Sequence, residues 1–246
     1  MAPLNKTAAG IIIGDEILSG KVRDTNAEQL IAALAAAGVD LRHLVTIPDD
    51  PAVIAEEVLR CSERYDHVFT SGGLGPTHDD RTMEGIALAF GVAVERHPEI
   101  VRRIQRHWGG RINEAALKLA ELPAGAELIG AEDGMLPVVT YRNLFILPGV
   151  PQIFAAKLGQ LTARIVGQRR ALKSIYLDTD ETSIADHLGR VAAERPAVAI
   201  GSYPRLDAAI ERVRVTVEAE DPGEVDRAVA RLLELLPADH VVRVEG

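Results

Sequence analysis

Short continuous apolar runs, each followed by a helix-patterned stretch, limit what this chain can fold into. "AAGIIIG" (8–14), "HVFTSG" (67–72) and "NLFILPG" (143–149) lack the polar alternation of a half-exposed strand. They suit strands buried on both faces of a sheet. "TNAEQLIAALAAAG" (25–38) intervenes, with Leu30, Ile31 and Leu34 as its apolar stripe and Gly38 where a helix C-cap belongs. "VDLRHLVTI" (39–47) returns to a strand, and "PDDPAVIAEEVLRCSE" (48–63) reads as a helix with Pro51 near its first turn. "DDRTMEGIALAFG" (79–91), "HPEIVRRIQRHWG" (97–109) and "VPQIFAAKLGQLTARIV" (150–166) are helical; Ile100, Ile104 and Trp108 stripe the second. Strands alternating with helices predict an α/β fold, a three-layer α/β/α sandwich with a mostly parallel sheet.

The pattern changes near Lys173. "KSIYLDT", a helix, "AVAIGSY", "ERVRVTVEAE", a second helix and "HVVRVE" follow in the order β-α-β-β-α-β, which predicts a small α+β, ferredoxin-like second domain. The expected division is 1–170 and 171–246.

Composition removes some partners. The formal charge is −9, from 27 basic and 36 acidic residues, and 4% of residues are aromatic. Duplex DNA and anionic membranes call for clustered Lys and Arg, so neither nucleic acid nor membrane is expected as a partner. No 18-residue apolar stretch is present. The start has too short an apolar segment for a signal-peptide core, and the single Cys61 cannot form an internal disulfide, so a cytoplasmic setting is expected.

Ligands of an open parallel sheet bind beyond the carboxyl ends of its strands, so the loops there are the candidate site. In "SGGLGPTHDDRT" (71–82), Gly72, Gly73 and Gly75 let backbone N–H groups approach a phosphate, with Pro76 and Thr77 next to them. The structural alternative is a tight turn with Asp79 or Asp80 as N-cap. Carboxylates repel phosphate, and a divalent cation between them removes the conflict, so Asp79 and Asp80 beside a glycine cradle point to phosphate plus metal. In "GDEILSGKVRDTN" (14–26), Gly14 precedes the adjacent carboxylates Asp15 and Glu16, and Asp24, Thr25 and Asn26 open a helix that Asp24 or Thr25 can cap. "ILPGVPQ" (146–152) turns the chain with Pro148 and Gly149, and Gly149 offers backbone to a pocket. Asp49 or Asp50 sits on the same rim. Arg102, Arg103 and Arg106 read as a solvated helix face, Cys61 as packing, and no histidine pair has zinc spacing.

These three loops, in this order, resemble the molybdopterin-binding-like domain of molybdenum-cofactor biosynthesis proteins, of the competence/damage-inducible protein A family and of eukaryotic FAD synthases. "KSIYLDTDETSIADHL" and "AIGSYPR" resemble the small second domain of the last two groups. The resemblance implies a strand-end pocket for a phosphorylated pterin or nucleotide. Gly72, Gly73, Gly75 and Thr77 would contact phosphate, and Asp80 with Asp49 would occupy acidic positions tied to metal handling. It also implies a metal-dependent pyrophosphatase (magnesium, manganese or cobalt) acting on ADP-ribose or FAD, with a non-catalytic module binding molybdopterin or a nucleotide as the alternative. A homo-oligomer, dimer or trimer, is expected. The sequence departs from the competence-protein pattern at Ala131 and in "GMLPVV" (134–139), where Val138 replaces a glycine, and at Gln152, where a Glu is common.

The residues assembled for chemistry are therefore Asp80, Asp49 and Asp15 as catalytic candidates. Asp80, Asp79 and Glu16 are the metal candidates. Gly72, Gly73, Gly75, Pro76, Thr77, Gly14, Asn26, Pro148 and Gly149 are the ligand-contacting candidates.

Overall fold

The computed structural model describes residues 6–109, 112–130, 137–165 and 167–246. The chain divides into two compact units, Met1–Gly167 and Gln168–Gly246.

The first unit runs β1 (Thr7–Ile13), a single-turn helix α1 (Asp15–Leu18), α2 (Asn26–Ala37), β2 (Asp40–Ile47), α3 (Pro51–Arg64), β3 (His67–Ser71) and α4 (Thr82–Phe90). It continues through β4 (Val94–Arg96), α5 (Pro98–Trp108), α6 (Glu114–Lys118), β5 (Glu121–Pro123), β6 (Glu127–Ile129), β7 (Val138–Tyr141), β8 (Leu144–Leu147) and α7 (Pro151–Thr162). The main sheet has the order β2-β1-β3-β8-β7-β6. The pairs β2–β1, β1–β3 and β3–β8 are parallel, and β8–β7 and β7–β6 are antiparallel.

Two cores lie on opposite faces, because neighbouring residues of a strand point opposite ways. Phe69 and Leu147 pack with Leu30, Leu34, Phe154, Leu158 and Leu161 from α2 and α7. Val68 and Ile146 pack with Ile54, Val58 and Ile86 from α3 and α4. Covering both faces explains why β1, β3 and β8 read as unbroken apolar runs. Ile31 is a correction to the expected stripe of α2: it is 48% exposed, and the buried line is Asn26, Leu30 and Leu34. Ile100 and Ile104 of α5 are buried as the stripe required, in a satellite core with Ala120 and Leu122 beside the β4–β5 pair. Pro51, Pro98 and Pro151 each occupy the first turn of a helix, where no backbone N–H is missed.

The second unit runs β9 (Ala171–Leu177), α8 (Glu181–Glu194), β10 (Ala199–Pro204), β11 (Val213–Ala219), α9 (Pro222–Leu235) and β12 (Val241–Glu245). Its sheet is antiparallel throughout, in the order β10-β11-β9-β12, which is the ferredoxin-like arrangement expected. Ile175, Val213, Val215 and Val217 pack with Ile184 and Val191 of α8 and Val225 and Leu232 of α9. The strand β10 carries "GSYP" to its end, where Pro204 pairs with Val213 of β11.

Candidate functional site

β1 and β3 are neighbours, yet the chain leaves them toward opposite faces, β1 to α2 and β3 to α4. That divergence opens a crevice at their carboxyl ends, the topological switch point of an open α/β sheet. The end of β2 brings Asp49 to one side and the end of β8 brings Pro148 and Gly149 to the other.

The glycine loop sits across this crevice. Gly72 has φ +112°, and a Cβ there would fall 2.0 Å from the Ile13 carbonyl oxygen, so a side chain would force β1 and β3 apart. Its N–H donates to the Leu147 carbonyl at 3.2 Å. Gly73 is also left-handed, φ +63°. Thr82 holds both: its buried Oγ1 donates to the Gly72 carbonyl at 2.9 Å and its N–H to the Gly73 carbonyl at 3.2 Å. Nothing in the spacing of the sequence singled out Thr82; its place at the first position of α4 was the available signal.

Asp80 faces back into its own loop. Its Oδ2 accepts from the Thr77 N–H at 2.9 Å and from Thr77 Oγ1. The carboxylate lies so close to Gly75 that a Cβ there would come within 2.5 Å of Oδ2. The Lys118 ammonium donates to the Thr77 carbonyl. The N-cap of α4 is Arg81 and makes no side-chain capping bond, so the capping alternative for Asp79 and Asp80 does not hold. Pro76, Thr77 and Asp79 are exposed, as is His78, 3.8 Å from Asp79.

Asp49 reaches from the end of β2 to the start of α1. Its Oδ2 accepts from the Asp15 N–H at 2.9 Å, and its Oδ1 lies toward Gly73, 3.3 Å from where a Cβ would stand. Partial burial raises its pKa above the ordinary carboxylate range. The charges of Glu16, Asp15 and Asp79 push the same way, against the hydrogen bond from Asp15. Asp15 and Glu16 form the first turn of α1 rather than an open loop, and the Glu16 carboxylate folds over Gly14. Asp50 is separate from this group: it caps α3, accepting from the N–H of Ala52 at 2.8 Å.

Asn26 ties the two sides of the crevice together. Its buried Nδ2 donates to Ser71 Oγ at 2.9 Å and to the Gly149 carbonyl at 2.8 Å, joining the start of α2 to the ends of β3 and β8. Its Oδ1 is buried without a hydrogen-bond partner. Asp24 caps this helix start, accepting from the N–H of Asn26 at 2.8 Å and of Ala27 at 3.2 Å. Val138 is buried in the α2–α7 core, and Ala131 with 134–136 lies outside the described residues. Gln152 is exposed in the first turn of α7.

The acidic rim is coupled through space without forming a ready-made metal cage. Among the described residues, no three of its carboxylates bring an oxygen each within 4.8 Å of one another. His43, Glu57 and Cys61 do meet that distance, away from the strand ends. There the Arg60 guanidinium already supplies the positive charge, 2.6 Å from Glu57 Oε1 and 3.0 Å from His43 Nε2. Burial and the Glu57 carboxylate push the Cys61 thiol up to about 12, so this cysteine is packing rather than a nucleophile. Arg102, Arg103 and Arg106 all pair with Glu99 on their own helix, as a helix face closed by its own ion pairs does.

A glycine loop, a switch-point crevice and this two-unit layout together define a class, and comparison with known proteins agrees. The chain belongs to the family described as "Probable molybdopterin binding domain", whose model matches residues 9–166. Residues 169–245 match a second model, "FAD synthase, middle domain". A Caenorhabditis elegans protein named "Probable FAD synthase" is 35% identical over 98% of this chain and 51% of its own length, so the chain spans about half of that relative. An Archaeoglobus fulgidus protein is 34% identical over 92% of this chain and 96% of its own length. Among solved structures, the protein CinA of Thermoplasma acidophilum superposes with a TM-score of 0.59 at 32% identity, covering 65% of this chain and 99% of that one.

Proposed function

We propose that the first unit is a metal-assisted hydrolase of dinucleotide pyrophosphates of the ADP-ribose or FAD type. The observation that carries this reading is Asp49: a half-buried carboxylate, crowded by Asp15, Glu16 and Asp79, lying against the glycine loop. A site that only held phosphate would gain nothing from concentrating negative charge there, because the carboxylates would repel the ligand.

The donor set fits a hard divalent cation of the magnesium type. Such an ion takes one or two carboxylates and completes its shell with water and substrate phosphate, so an incomplete cluster suits it better than a closed cage. Asp15 or Glu16, with Asp79 of the glycine-loop segment, are the residues that would hold it. When bound, a cation of this kind neutralises charge developing on the phosphoryl oxygens.

The chain's own residues do the rest. The amides of the glycine loop orient one phosphate across the end of β3, and Thr82 fixes their direction by holding two of the loop's carbonyls. Asp80 keeps the loop in register through Thr77, so its contribution begins with positioning. The raised pKa of Asp49 makes it a stronger base than an ordinary carboxylate, suited to accept a proton from an attacking water. Asn26 Oδ1, buried and unpartnered, offers an acceptor to a ligand hydroxyl or amine.

The test is release of mononucleotide from ADP-ribose and from FAD with magnesium, manganese or cobalt. Asp49→Asn keeps an acceptor for the Asp15 N–H and should lower turnover by about a hundredfold or more, the usual range for losing a general base. The rate should rise with pH along an acid limb set by Asp49, and that limb should vanish in the variant. Because folding raises this pKa, the native state holds more protons than the unfolded chain in the same window. Stability contributed by Asp49 is therefore present below its unfolded pKa and lost as pH rises through the folded one. Asp49→Asn should be slightly more stable at neutral pH. Binding of nucleotide or pterin without turnover under any of these metals would overturn the hydrolase and leave a binding module.

A further inference from the structure

The sheet of the second unit is covered by helices on one face, and its other face carries an ordered row of side chains. Tyr203 of β10 pairs in register with Arg214 of β11, Arg214 with Tyr176 of β9, and Tyr176 with Arg243 of β12. One line across four strands thus reads Tyr-Arg-Tyr-Arg. Register partners point to the same side of a sheet, and Val213 and Val215 on either side of Arg214 are buried toward the helices, so the row faces away from them. The next row is small, with Gly201, Thr216 and Ser174 in register, and the Tyr203 ring lies over Gly201. With Arg205 and Glu211 the row lines a single surface recess.

The charges in this recess do not balance. Arg243 stacks on Tyr176, 3.6 Å from the ring centroid, and pairs with Glu211 at 2.6 Å and with Glu245. Arg205 pairs with Glu211 at 2.9 Å. Three guanidiniums therefore share two carboxylates, and the one left over is Arg214. Its side chain makes no hydrogen bond or ion pair among the described residues, and its Nε is buried without an acceptor. It lies over the Tyr203 ring, 5.6 Å from the centroid, and Tyr203 itself is 53% exposed. An unpaired guanidinium whose Nε is desolvated is costly, and the chemistry that relieves it is an anion with planar oxygens, carboxylate or phosphate. An exposed tyrosine face beside it accepts a flat aromatic ring.

From this geometry we infer that the open face of the second unit binds a mononucleotide, its base stacked on Tyr203 and its phosphate on Arg214. All the residues that line it belong to the second unit. Single-stranded RNA offers the same base and phosphate but fits less well. The row spans three interstrand gaps of about 4.8 Å, the scale of one nucleotide rather than a strand. Residues 171–246 carry nine basic and fifteen acidic residues, a balance of −6 that repels a polyanion.

The experiment is equilibrium dialysis of the full chain against labelled AMP, with EDTA present to remove divalent ions, for wild type, Arg214→Gln, Tyr203→Ala and Tyr203→Phe. Arg214→Gln and Tyr203→Ala should each weaken binding at least tenfold, while Tyr203→Phe, which keeps the ring, should bind as wild type. Circular dichroism of each variant checks that the sheet is intact. Wild-type affinity in both Arg214→Gln and Tyr203→Ala would overturn the site, as would the absence of AMP binding to wild type at millimolar concentration. A ten-residue oligoadenylate binding more than a hundredfold tighter than AMP, and losing that affinity with Arg214→Gln, would replace it with a nucleic-acid face. A failure of pyrophosphate hydrolysis moves none of these readouts, so the two proposals fail separately.

Discussion

The two units are both built from sheets and helices, yet they present chemistry in different places. In the first, helices cover both faces of a mostly parallel sheet, so only the strand ends remain for a ligand, and Gly72, Gly73, Asp49 and Asn26 gather there. In the second, helices cover one face of an antiparallel sheet, so whole strands are open and Tyr203, Arg214, Tyr176 and Arg243 line up across it. Layer count decides where polar side chains can point without being buried. A parallel crossover also forces backbone ends together at the switch point, which suits amides and glycines, whereas an open face suits long side chains.

The comparison breaks most readily at Gly72. Gly72→Ala places a Cβ against the Ile13 carbonyl and demands a left-handed backbone from alanine. Destabilisation of more than about 3 kcal/mol is expected in the first unit, from steric conflict combined with backbone strain. Urea unfolding followed at Trp108, the single tryptophan, should show the loss, while AMP binding at the open face of the second unit persists. A variant that unfolds both units together would show them to be one cooperative block.

The converse change is Leu232→Ala, a fully buried leucine of α9. It should cost about 2–5 kcal/mol in the second unit and leave hydrolysis at the strand ends unchanged. Loss of hydrolysis at a temperature where Trp108 still reports a folded first unit would mean that the second unit completes the catalytic site.

Asn26→Ala sharpens the description of the crevice. It removes the donor to Ser71 and Gly149, both set around buried groups, and about 1–3 kcal/mol of destabilisation is expected. If Asn26 Oδ1 also meets ligand, KM should rise beyond what the stability loss explains. An unchanged KM would confine Asn26 to bracing the loops.

The smallest effects belong to the caps, one in each unit. Asp50→Ala removes the acceptor for the Ala52 and Val53 N–H groups of α3, and Asp221→Ala the acceptor for Gly223 N–H of α9. Each should cost about 1 kcal/mol, read as a shift in urea midpoint, with neither hydrolysis nor AMP binding altered. Asp50 adjoins Asp49, so a fall in hydrolysis for Asp50→Ala would enlarge the catalytic rim by one residue.

Much of this molecule follows from local pattern. The apolar runs at β1, β3 and β8, the helices opened by Pro51 and Pro151, and the β-α-β-β-α-β order of the second unit are readable because burial on two faces, first-turn proline and strand alternation are near-neighbour effects. The glycines and aspartates of 71–82 were visible as a candidate site for the same reason, being contiguous. What remained hidden required partners distant in sequence. The exposure of Ile31 depends on which side of α2 meets α7. The turn of Asp80 toward Thr77, the bond from Asn26 to Gly149 across 123 residues, and the like charges around Asp49 exist only once the strand ends converge. The Tyr-Arg row is the extreme case, since its members come from four strands and share nothing in sequence but alternation. The sequence by itself determined the elements, their order and the glycine loop, because propensity and pattern act over a few residues. Tertiary structure alone decided which carboxylates repel one another, which guanidinium is left without a partner and which side chains share a surface, because those depend on strand register and on the layers that exclude water.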